Sequence, residues 1–320
     1  MQIDIVACTD KWFVMPTGVM MYSVCVNNPD VGIVFHIIKD DSVTAQDEHD
    51  LEETVTAFKG KRVAFYTADD TLLSAFPNLQ LRWDITKGSY YRLMLSEILP
   101  DTIHKVLYLD GDIIVRGSLL PLWNTDLASF AVAAIPDPME GIIEYYNRLQ
   151  YPLKYGYFNA GVLLVNLDYW RKHDAITQFN EFLKNRADDI RFHDQDVLNV
   201  IFCDSKQPLS IKYNLHNGFI SKNKLYDYWK YEKELLESPK DPVVIHFSDW
   251  KPWYSYQRNP HPFSSTWFKY QNQTKWRGVK IDKRPFKLRV INYVADMLRK
   301  YGLKSPVSSL FDYIDIAPID

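Results

Sequence analysis

The first half of the chain alternates short apolar runs with segments in which apolar residues recur every three or four positions. The apolar runs predict β-strands at Ile3–Cys8, Val31–Ile38, Arg62–Thr67 and Lys105–Leu109. The segments between them predict helices near Gly18–Val26, Thr44–Phe58 and Ser89–Ile98. This order favours parallel strands joined by crossover helices, a nucleotide-binding type of α/β half whose ligands collect at the carboxyl ends of the strands.

The second half reads as a continuation of the same core, without an internal repeat or a low-complexity linker. Its apolar runs predict strands at Phe130–Ile135, Gly161–Val165, Ser210–Tyr213 and Val243–Phe247. Its periodic segments predict helices near Tyr169–Asn185 and Asp196–Phe202. The composition changes near Asn272, where a basic tail begins.

Two carboxylates separated by one glycine, Asp110-Gly111-Asp112, interrupt the apolar stretch from Lys105 to Val115. Burying an unpaired carboxylate costs at least several kcal/mol, so a bound cation is the favoured explanation for the pair. Gly111 is then expected to leave room for both acids, or for a phosphate, to approach the cation. The alternative is a turn at the strand end, in which the aspartates accept hydrogen bonds from local amides.

The chain has neither a Walker loop nor a Gly-x-Gly-x-x-Gly motif, so a divalent metal is the expected means of holding a phosphate. His246 follows the apolar run from Val243 and is the best candidate for a third ligand, although a hydrogen-bonded core histidine is the alternative. Two carboxylates with one imidazole suit Mn²⁺ better than Ca²⁺ because the nitrogen ligand is of borderline softness, and Mg²⁺ is the other candidate ion. Lys251 is close enough in sequence to add charge to a bound diphosphate.

Composition limits the possible partners and the compartment. The net charge of −3 gives no sign of nucleic-acid binding. Aromatic residues make up 15% of the chain, which suits a protein that handles sugar rings, although aromatics also fill cores. The three cysteines, Cys8, Cys25 and Cys203, are far apart and predict a reducing compartment rather than a disulfide framework. We predict a cytoplasmic protein, because no signal-peptide pattern and no apolar run of about 18 residues is present.

Four ordered motifs together resemble glycosyltransferase family 8, most closely the bacterial lipopolysaccharide galactosyl- and glucosyltransferases and more distantly glycogenin. They are Lys105–Asp112, Tyr157–Leu167, His193–Asn199, and His246 with Lys251-Pro252-Trp253. The resemblance implies a GT-A fold, which is an α/β fold with a mixed, mostly parallel sheet and helices on both faces. It also implies a UDP-glucose or UDP-galactose donor, Mn²⁺, and transfer with retention at the anomeric carbon to a saccharide or lipid-linked glycan acceptor.

The resemblance covers about residues 1–255 and implies a domain organisation. Residues 1–255 would form the catalytic domain, with a nucleotide-binding half at about 1–115 and a sugar and acceptor half at about 116–255. Residues 256–320 would form a basic, aromatic and helical C-terminal tail.

The resemblance also implies a role for each residue that matches a family motif. Asp110, Asp112 and His246 would bind the metal, and Lys251 the diphosphate. Arg92, Asn159, Asp194 and Gln195 would surround the donor phosphate and hexose, and Asp10 would contact the uracil. The residues alone leave plainer alternatives open for four of them, namely a solvated helix face for Arg92, a turn for Asn159, and helix capping for Asp194 and Gln195, to which Asp194 is well suited. Lys11-Trp12 departs from the family pattern beside Asp10.

The sequence does not decide the mechanism of retention, and it leaves two alternative functions open. Retention can proceed by double displacement or by same-face attack, and spacing assigns neither Asp194 nor Gln195 as a nucleophile. A haloacid-dehalogenase-type phosphatase also uses Asp-x-Asp at a strand end, but its motif continues with Thr or Val where this chain has Ile114. A non-catalytic sugar or nucleotide binder is the other alternative.

The tail is strongly basic, with ten Lys or Arg residues between Lys275 and Lys304 against Asp282 and Asp296. Pro285 and Gly302 are placed to begin and end a helix. Apolar residues recur along one side of that helix at spacings of three and four, at Phe286, Val290, Tyr293, Val294, Met297 and Tyr301. Such a helix can lie peripherally on the anionic inner face of a membrane, and the alternative is that its apolar stripe docks on the catalytic core.

Overall fold

The computed structural model describes residues 1–68, 88–221, 229–248, 250–255, 261–282 and 286–303. The strands are β1 (Gln2–Thr9), β2 (Gly32–Lys39), β3 (Lys61–Thr67), β4 (Lys105–Leu109), β5 (Ile113–Val115), β6 (Val132–Pro136), β7 (Phe158–Asn166), β8 (Lys206–Pro208), β9 (Leu215–His216) and β10 (Val244–His246). The α-helices are α1 (Val14–Asn27), α2 (Ala45–Thr56), α3 (Gly88–Tyr91), α4 (Leu95–Ile98), α5 (Leu120–Trp123), α6 (Ile143–Leu149), α7 (Leu167–Lys172), α8 (Ala175–Asn185), α9 (His193–Ile201), α10 (Asn217–Ile220), α11 (Glu232–Glu237), α12 (Ser264–Gln271) and α13 (Phe286–Lys300).

The strands form two sheets, and the larger one confirms the predicted mixed, mostly parallel sheet. Its order is β3-β2-β1-β4-β7-β6-β8, in which β7 alone runs antiparallel to its neighbours β4 and β6. The smaller sheet has the order β5-β10-β9. Because β5 begins three residues after Asp110, the smaller sheet continues directly from the carboxyl end of β4.

Apolar packing covers both faces of the large sheet, as expected for strands flanked by crossover helices. Along β4, Val106 and Tyr108 belong to one buried cluster, and Leu107 and Leu109 belong to the other. Helix α1 is buried along most of its length, which explains why amphipathic periodicity placed its start at Gly18 rather than at Val14.

Three of the predicted elements were wrong in kind or in continuity. The predicted helix Ser89–Ile98 is formed by α3 and α4, with the 3₁₀ turn Arg92–Met94 between them. The predicted strand Ser210–Tyr213 contains a 3₁₀ turn, Ile211–Tyr213, because Glu234 Oε2 accepts from the Ser210 hydroxyl and the Ile211 N–H. The strand follows as β9. The predicted helix Tyr169–Asn185 is two helices, α7 and α8, separated where Asp174 adopts the left-handed region with φ 50°.

The predicted tail helix is present as α13, but its predicted first residue, Pro285, lies outside the described residues, as do 256–260 and 304–320 of the tail. Apolar side chains along it, Val290, Tyr293, Val294 and Met297, are 44–68% exposed. The alternative in which this stripe docks on the catalytic core is therefore wrong for these four side chains. Within the described part of the chain, no helix combines the length and the hydropathy needed to span a bilayer.

Candidate active site

The two acids and the histidine that the sequence selected lie together at the carboxyl end of β4. Strand β10 pairs antiparallel with β5, placing His246 opposite Ile113, and Phe247 N–H donates to the Asp112 carbonyl at 2.9 Å. His246 Nε2 lies 3.2 Å from Asp112 Oδ1 and 3.8 Å from Asp110 Oδ2. One ligand atom from each of the three residues falls within 4.8 Å of the others. This group could hold a metal ion.

The chemistry of the three side chains fits a divalent cation. Asp112 is 6% exposed, and its buried Oδ1 accepts no hydrogen bond from the described residues. The Asn214 amide N–H donates to Asn159 Oδ1 at 2.8 Å, so Asn214 Oδ1 is the atom that faces His246 Nδ1 at 2.9 Å. A proton on Nδ1 leaves the Nε2 lone pair turned toward the carboxylates, which is how metal-binding histidines are oriented.

Lys251 adds a positive charge to this group. Its Nζ donates to Asp112 Oδ2 and to the carbonyl oxygens of Phe247 and Ser248. Burial alone would raise the pKa of Asp112, but attraction to Lys251 and His246 outweighs burial and lowers the pKa below its ordinary value. Asp112 is therefore ionised at neutral pH.

Residues beyond the site hold the loop that carries Lys251. Ile281 N–H donates to the Trp253 carbonyl at 2.9 Å, and Ser255 N–H donates to the Ile281 carbonyl at 3.0 Å. The fully buried Trp253 ring packs on Trp267 of α12 with the ring centroids 4.3 Å apart. Packing from residues 261–282 thus fixes the position of Lys251.

We call Asp110, Asp112 and His246 the metal group. A glycine makes room for the metal group, and this glycine is Gly161 rather than Gly111. A Cβ on Gly111 would lie 2.7 Å from Thr17 Oγ1, so this glycine allows α1 to approach, and the expectation that it makes room for the cation was wrong. A Cβ on Gly161 would lie 2.3 Å from His246 Cε1 and 2.9 Å from Asp110 Oδ2. Sequence reasoning missed Gly161 because it is an interior residue of a buried strand.

We expect Gly161→Ala to weaken Mn²⁺ binding by at least about tenfold, because the added methyl group must displace the His246 ring from its ligand position. Calorimetric titration of Mn²⁺ measures the effect. Gly117→Ala is the matched control, since its Cβ would meet Val243 at an ordinary contact of 3.4 Å. Wild-type Mn²⁺ affinity in a folded Gly161→Ala protein would contradict this role for the glycine.

Arg92 joins the metal group to the start of α9. Its Nη2 donates to Asp110 Oδ1 at 2.8 Å, its Nη1 donates to the Ala160 carbonyl at 2.6 Å, and its Nε lies 2.9 Å from Asp194 Oδ2. The side chain is buried, so the alternative of a solvated helix face was wrong. Burial would lower the pKa of Arg92, but Asp110 and Asp194 outweigh burial and raise it, so the guanidinium stays charged.

Asp194 lies in the first turn of α9 and is 5% exposed. Burial raises the pKa of Asp194 to about 7; attraction to Arg92 opposes the rise, and repulsion from Asp110 adds to it. The structure shows no side-chain cap at this end of the helix, and Asp196 Oδ2 instead accepts from the N–H groups of Arg191 and Phe192, which precede the helix, at 2.7 and 2.8 Å. Asp194 is therefore available for a role other than capping.

Asn159 and Gln195 meet at Asp137, which sequence reasoning missed. Asp137 Oδ2 accepts from Asn159 Nδ2 at 3.1 Å and from Gln195 Nε2 at 3.2 Å. Gln195 Oε1 accepts from the Ala160 N–H at 3.0 Å. Asp137 directly follows β6, so the same strand-end argument that selected Asp110 could have found it. Asn214, the partner of both His246 and Asn159, carries no comparable sequence signal.

Asp10 lies at the carboxyl end of β1, the neighbour of β4 in the sheet. Its Oδ1 accepts from the N–H groups of Trp12 and Phe13 at 2.8 and 3.1 Å, an arrangement that shapes the loop into α1. Thr17 of that helix contacts the position of Gly111, so the loop carrying Asp10 and the turn carrying the metal acids adjoin. The structure thus brings all of the predicted site residues to one end of the sheets.

A mixed sheet that presents an Asp-x-Asp turn after a central strand, completed by a histidine from a small second sheet, defines a glycosyltransferase of the GT-A fold class. The chain belongs to glycosyl transferase family 8, whose family model matches residues 4–257. Both the predicted family and the predicted fold are confirmed.

Relatives and solved structures agree with this assignment. The chain is 28% identical over 281 residues to general stress protein A of Bacillus subtilis, covering 87% of this chain and 96% of that protein. It is also 28% identical to the lipopolysaccharide 1,3-galactosyltransferase of Salmonella typhimurium, covering 83% and 77% of the two chains. The structure of galactosyltransferase LgtC in complex with donor and acceptor sugar analogues is similar with a TM-score of 0.74 and 27% identity, covering 90% of this chain and 99% of LgtC.

Proposed function

We propose that this protein is a metal-dependent, retaining hexosyltransferase that moves glucose or galactose from a UDP-hexose to a saccharide acceptor in lipopolysaccharide or other surface-glycan synthesis. The observation that carries the proposal is the group formed by Asp110, Asp112 and His246 in a family 8 protein. Arg92 links this group to Asp194, because it forms ion pairs with both Asp110 and Asp194. The names of the relatives, a lipopolysaccharide galactosyltransferase and a lipopolysaccharide glucosyltransferase of Escherichia coli among them, support the choice of hexose and of glycan.

Asp110, Asp112 and His246 would hold Mn²⁺. Their two carboxylates and one borderline nitrogen ligand suit Mn²⁺ better than Ca²⁺. The ion, when bound, supplies positive charge that stabilises a departing diphosphate. Lys251 shares the Asp112 carboxylate with the proposed metal site and presents its ammonium at the same place. It would bind a diphosphate oxygen and stabilise the leaving group without acting as an acid.

The hexose would lie over Asn159, Asp194 and Gln195, with Asp10 toward the uracil. Arg92 keeps Asp194 beside the metal group, and Asp137 fixes the amides of Asn159 and Gln195 in one orientation. Asp194 and Gln195 both stay candidates for the group that stabilises positive charge developing at the anomeric carbon. Double displacement and same-face attack both stay open.

A screen of UDP-sugars tests the function directly. We expect release of UDP from UDP-glucose or UDP-galactose in the presence of Mn²⁺, an increase when a saccharide acceptor is added, and loss of both activities in EDTA. A protein that binds UDP-hexoses without any turnover would be the non-catalytic binder. Phosphate release from simple phosphate esters would instead support the phosphatase, which family 8 membership does not favour.

We propose that the C-terminal tail contacts the cytoplasmic face of the membrane through α13, since residues 261–282 of the tail pack on the catalytic core. On α13 the exposed apolar side chains Val290, Tyr293, Val294 and Met297 accompany the basic Lys287, Arg289, Arg299 and Lys300. Insertion of the apolar groups into the headgroup region, together with attraction of about 1 kcal/mol for each basic residue near an anionic surface, would hold the enzyme beside a lipid-linked acceptor.

We expect the protein to sediment with phosphatidylglycerol vesicles and not with phosphatidylcholine vesicles. Replacing Val294 and Met297 by aspartate should remove most of this binding, because it places charge on the apolar side of α13. Replacing the exposed Leu236 of α11 by aspartate is the control and should leave binding unchanged. Equal binding to neutral and anionic vesicles, or binding that survives removal of residues 286–320, would refute the membrane contact.

A further inference from the structure

His216 is a second histidine that the structure places beside the metal group. It belongs to β9, where it pairs in parallel register with His246 of β10. Residues in register on adjacent strands present their side chains to the same face of a sheet. The rings of His216 and His246 accordingly lie near each other, with centroids 6.1 Å apart. His216 therefore faces the same side as the proposed metal ligand.

The hydrogen bonding of His216 defines which of its nitrogens carries a proton. Gly218 N–H donates to His216 Nδ1 at 3.3 Å, so Nδ1 is an acceptor and the proton of the neutral imidazole is on Nε2. His216 is 5% exposed, and within the described residues its Nε2 has no hydrogen-bond partner. A buried donor without an acceptor is costly, so a bound oxygen atom is the expected partner.

The surroundings of His216 indicate what supplies that oxygen. A Cβ on Gly218 would lie 3.3 Å from His216 Cε1 and 2.5 Å from Pro138 Cγ, so the ring adjoins the segment that begins with Asp137. Asp137 orients Asn159 and Gln195, the residues proposed to contact the hexose. His216 thus adjoins both His246 of the proposed metal site and the segment whose Asp137 orients the proposed sugar ligands.

We propose that His216 Nε2–H donates a hydrogen bond to a hydroxyl oxygen of a sugar bound between these two groups, which makes His216 a specificity-determining residue. The inference rests on the proposed function, because it places a sugar in this pocket. The hydroxyl belongs either to the hexose of the UDP-hexose or to the acceptor saccharide. A change in donor binding would identify the first source, and a change in transfer to the acceptor would identify the second.

Two variants of His216 test the inference. His216→Met keeps a side chain of similar length without the donor, and His216→Gln restores an N–H donor at a similar distance from the backbone. Binding of UDP, UDP-glucose and UDP-galactose is measured by calorimetry with Mn²⁺, and transfer to methyl β-galactoside and methyl β-glucoside is measured at saturating donor. His104→Met, which changes an exposed histidine paired with Asp168, is the control.

We expect His216→Met to bind UDP with unchanged affinity and to lose about tenfold in one sugar-dependent quantity, with most of the loss restored by His216→Gln. Weaker binding of the UDP-hexose assigns the contact to the transferred sugar, and a lower kcat/KM for the methyl glycoside with unchanged donor binding assigns it to the acceptor. Changes within twofold in both quantities, or an equal loss of UDP affinity, would overturn the inference. A wild-type protein inactive with both UDP-hexoses would instead refute the proposed function.

Discussion

Asp110→Asn and Asp112→Asn are each expected to lower turnover by more than about 10²-fold, since losing stabilisation of charge on a leaving group typically has an effect of that size. Each substitution keeps the shape of the side chain and removes one of the two negative charges that face His246. Activity should require Mn²⁺ or a close substitute and should be abolished by chelation. The measurements are kcat with a UDP-hexose, and Mn²⁺ affinity by calorimetry.

Asp241→Asn is the matched control for these substitutions, because the Asp241 side chain is 95% exposed and its contact with Arg116 is 3.7 Å long. We expect its kcat to stay within twofold of the wild-type value. Full activity of the wild-type protein in EDTA would eliminate the metal assignment, and full activity of Asp112→Asn would eliminate Asp112 as a ligand.

Asp194→Ala is expected to lose both transfer and donor hydrolysis while retaining UDP affinity. Its carboxylate lies against the buried guanidinium of Arg92, which is also bonded to the metal acid Asp110, so the substitution disturbs the hexose side of the site. The residues proposed to bind UDP lie on the metal and nucleotide side of the site, so UDP binding should persist. Steady-state kinetics together with UDP calorimetry separates these two effects.

Asp196→Ala supplies a contrast from the same helix turn. Asp196 is fully buried, pairs with Arg148 at 2.8 Å and accepts from the N–H groups of Arg191 and Phe192 just before α9, so removing it should cost about 3–5 kcal/mol of folding free energy. The Asp194 substitution should instead leave the folded spectrum intact. An unfolded Asp194→Ala protein without UDP affinity would mean that Asp194 serves the stability of the helix rather than the reaction.

The raised pKa of Asp194 has a consequence for stability. Its pKa rises from an ordinary 3.8 to about 7 in the folded protein, so the folded state binds this proton more tightly than the unfolded chain does. The stability that this group contributes is therefore complete below about pH 4 and is lost as the pH rises toward 7. Asp194→Asn should remove that part of the pH dependence in metal-free protein.

Much of the nucleotide-binding half of this fold can be predicted from the sequence, because burial along a single strand or helix produces a local pattern of apolar residues. Strands β1 to β4 were predicted within one or two residues. For β1, β2 and β4 the reason is that strands buried on both faces have nearly continuous apolar sequences. Asp110 and Asp112 could be selected from the sequence because two carboxylates next to a buried apolar run need a compensating positive charge. His246 could be proposed because it ends another apolar run.

The remaining features depend on contacts between residues that are far apart in the chain. The register between β10 and β5 brings His246 to Asp112, and only this approach shows that Gly161, and not Gly111, is the glycine the metal group needs. The same long-range packing turns Arg92 inward and brings Asp137, Asn214 and His216 beside the site.

The sequence by itself thus determined the α/β class, the strands of the first half, the family, and the chemical types of the residues that we propose bind a metal. The tertiary structure alone decided which glycine leaves room for the histidine ring, which aspartate accepts the backbone N–H groups that precede α9, and that Ile211–Tyr213 is a 3₁₀ turn. It also decided that Val290, Tyr293, Val294 and Met297 of α13 stay exposed. The physical reason is that periodicity reports how one element is buried, whereas a binding site is assembled by the register and packing of several.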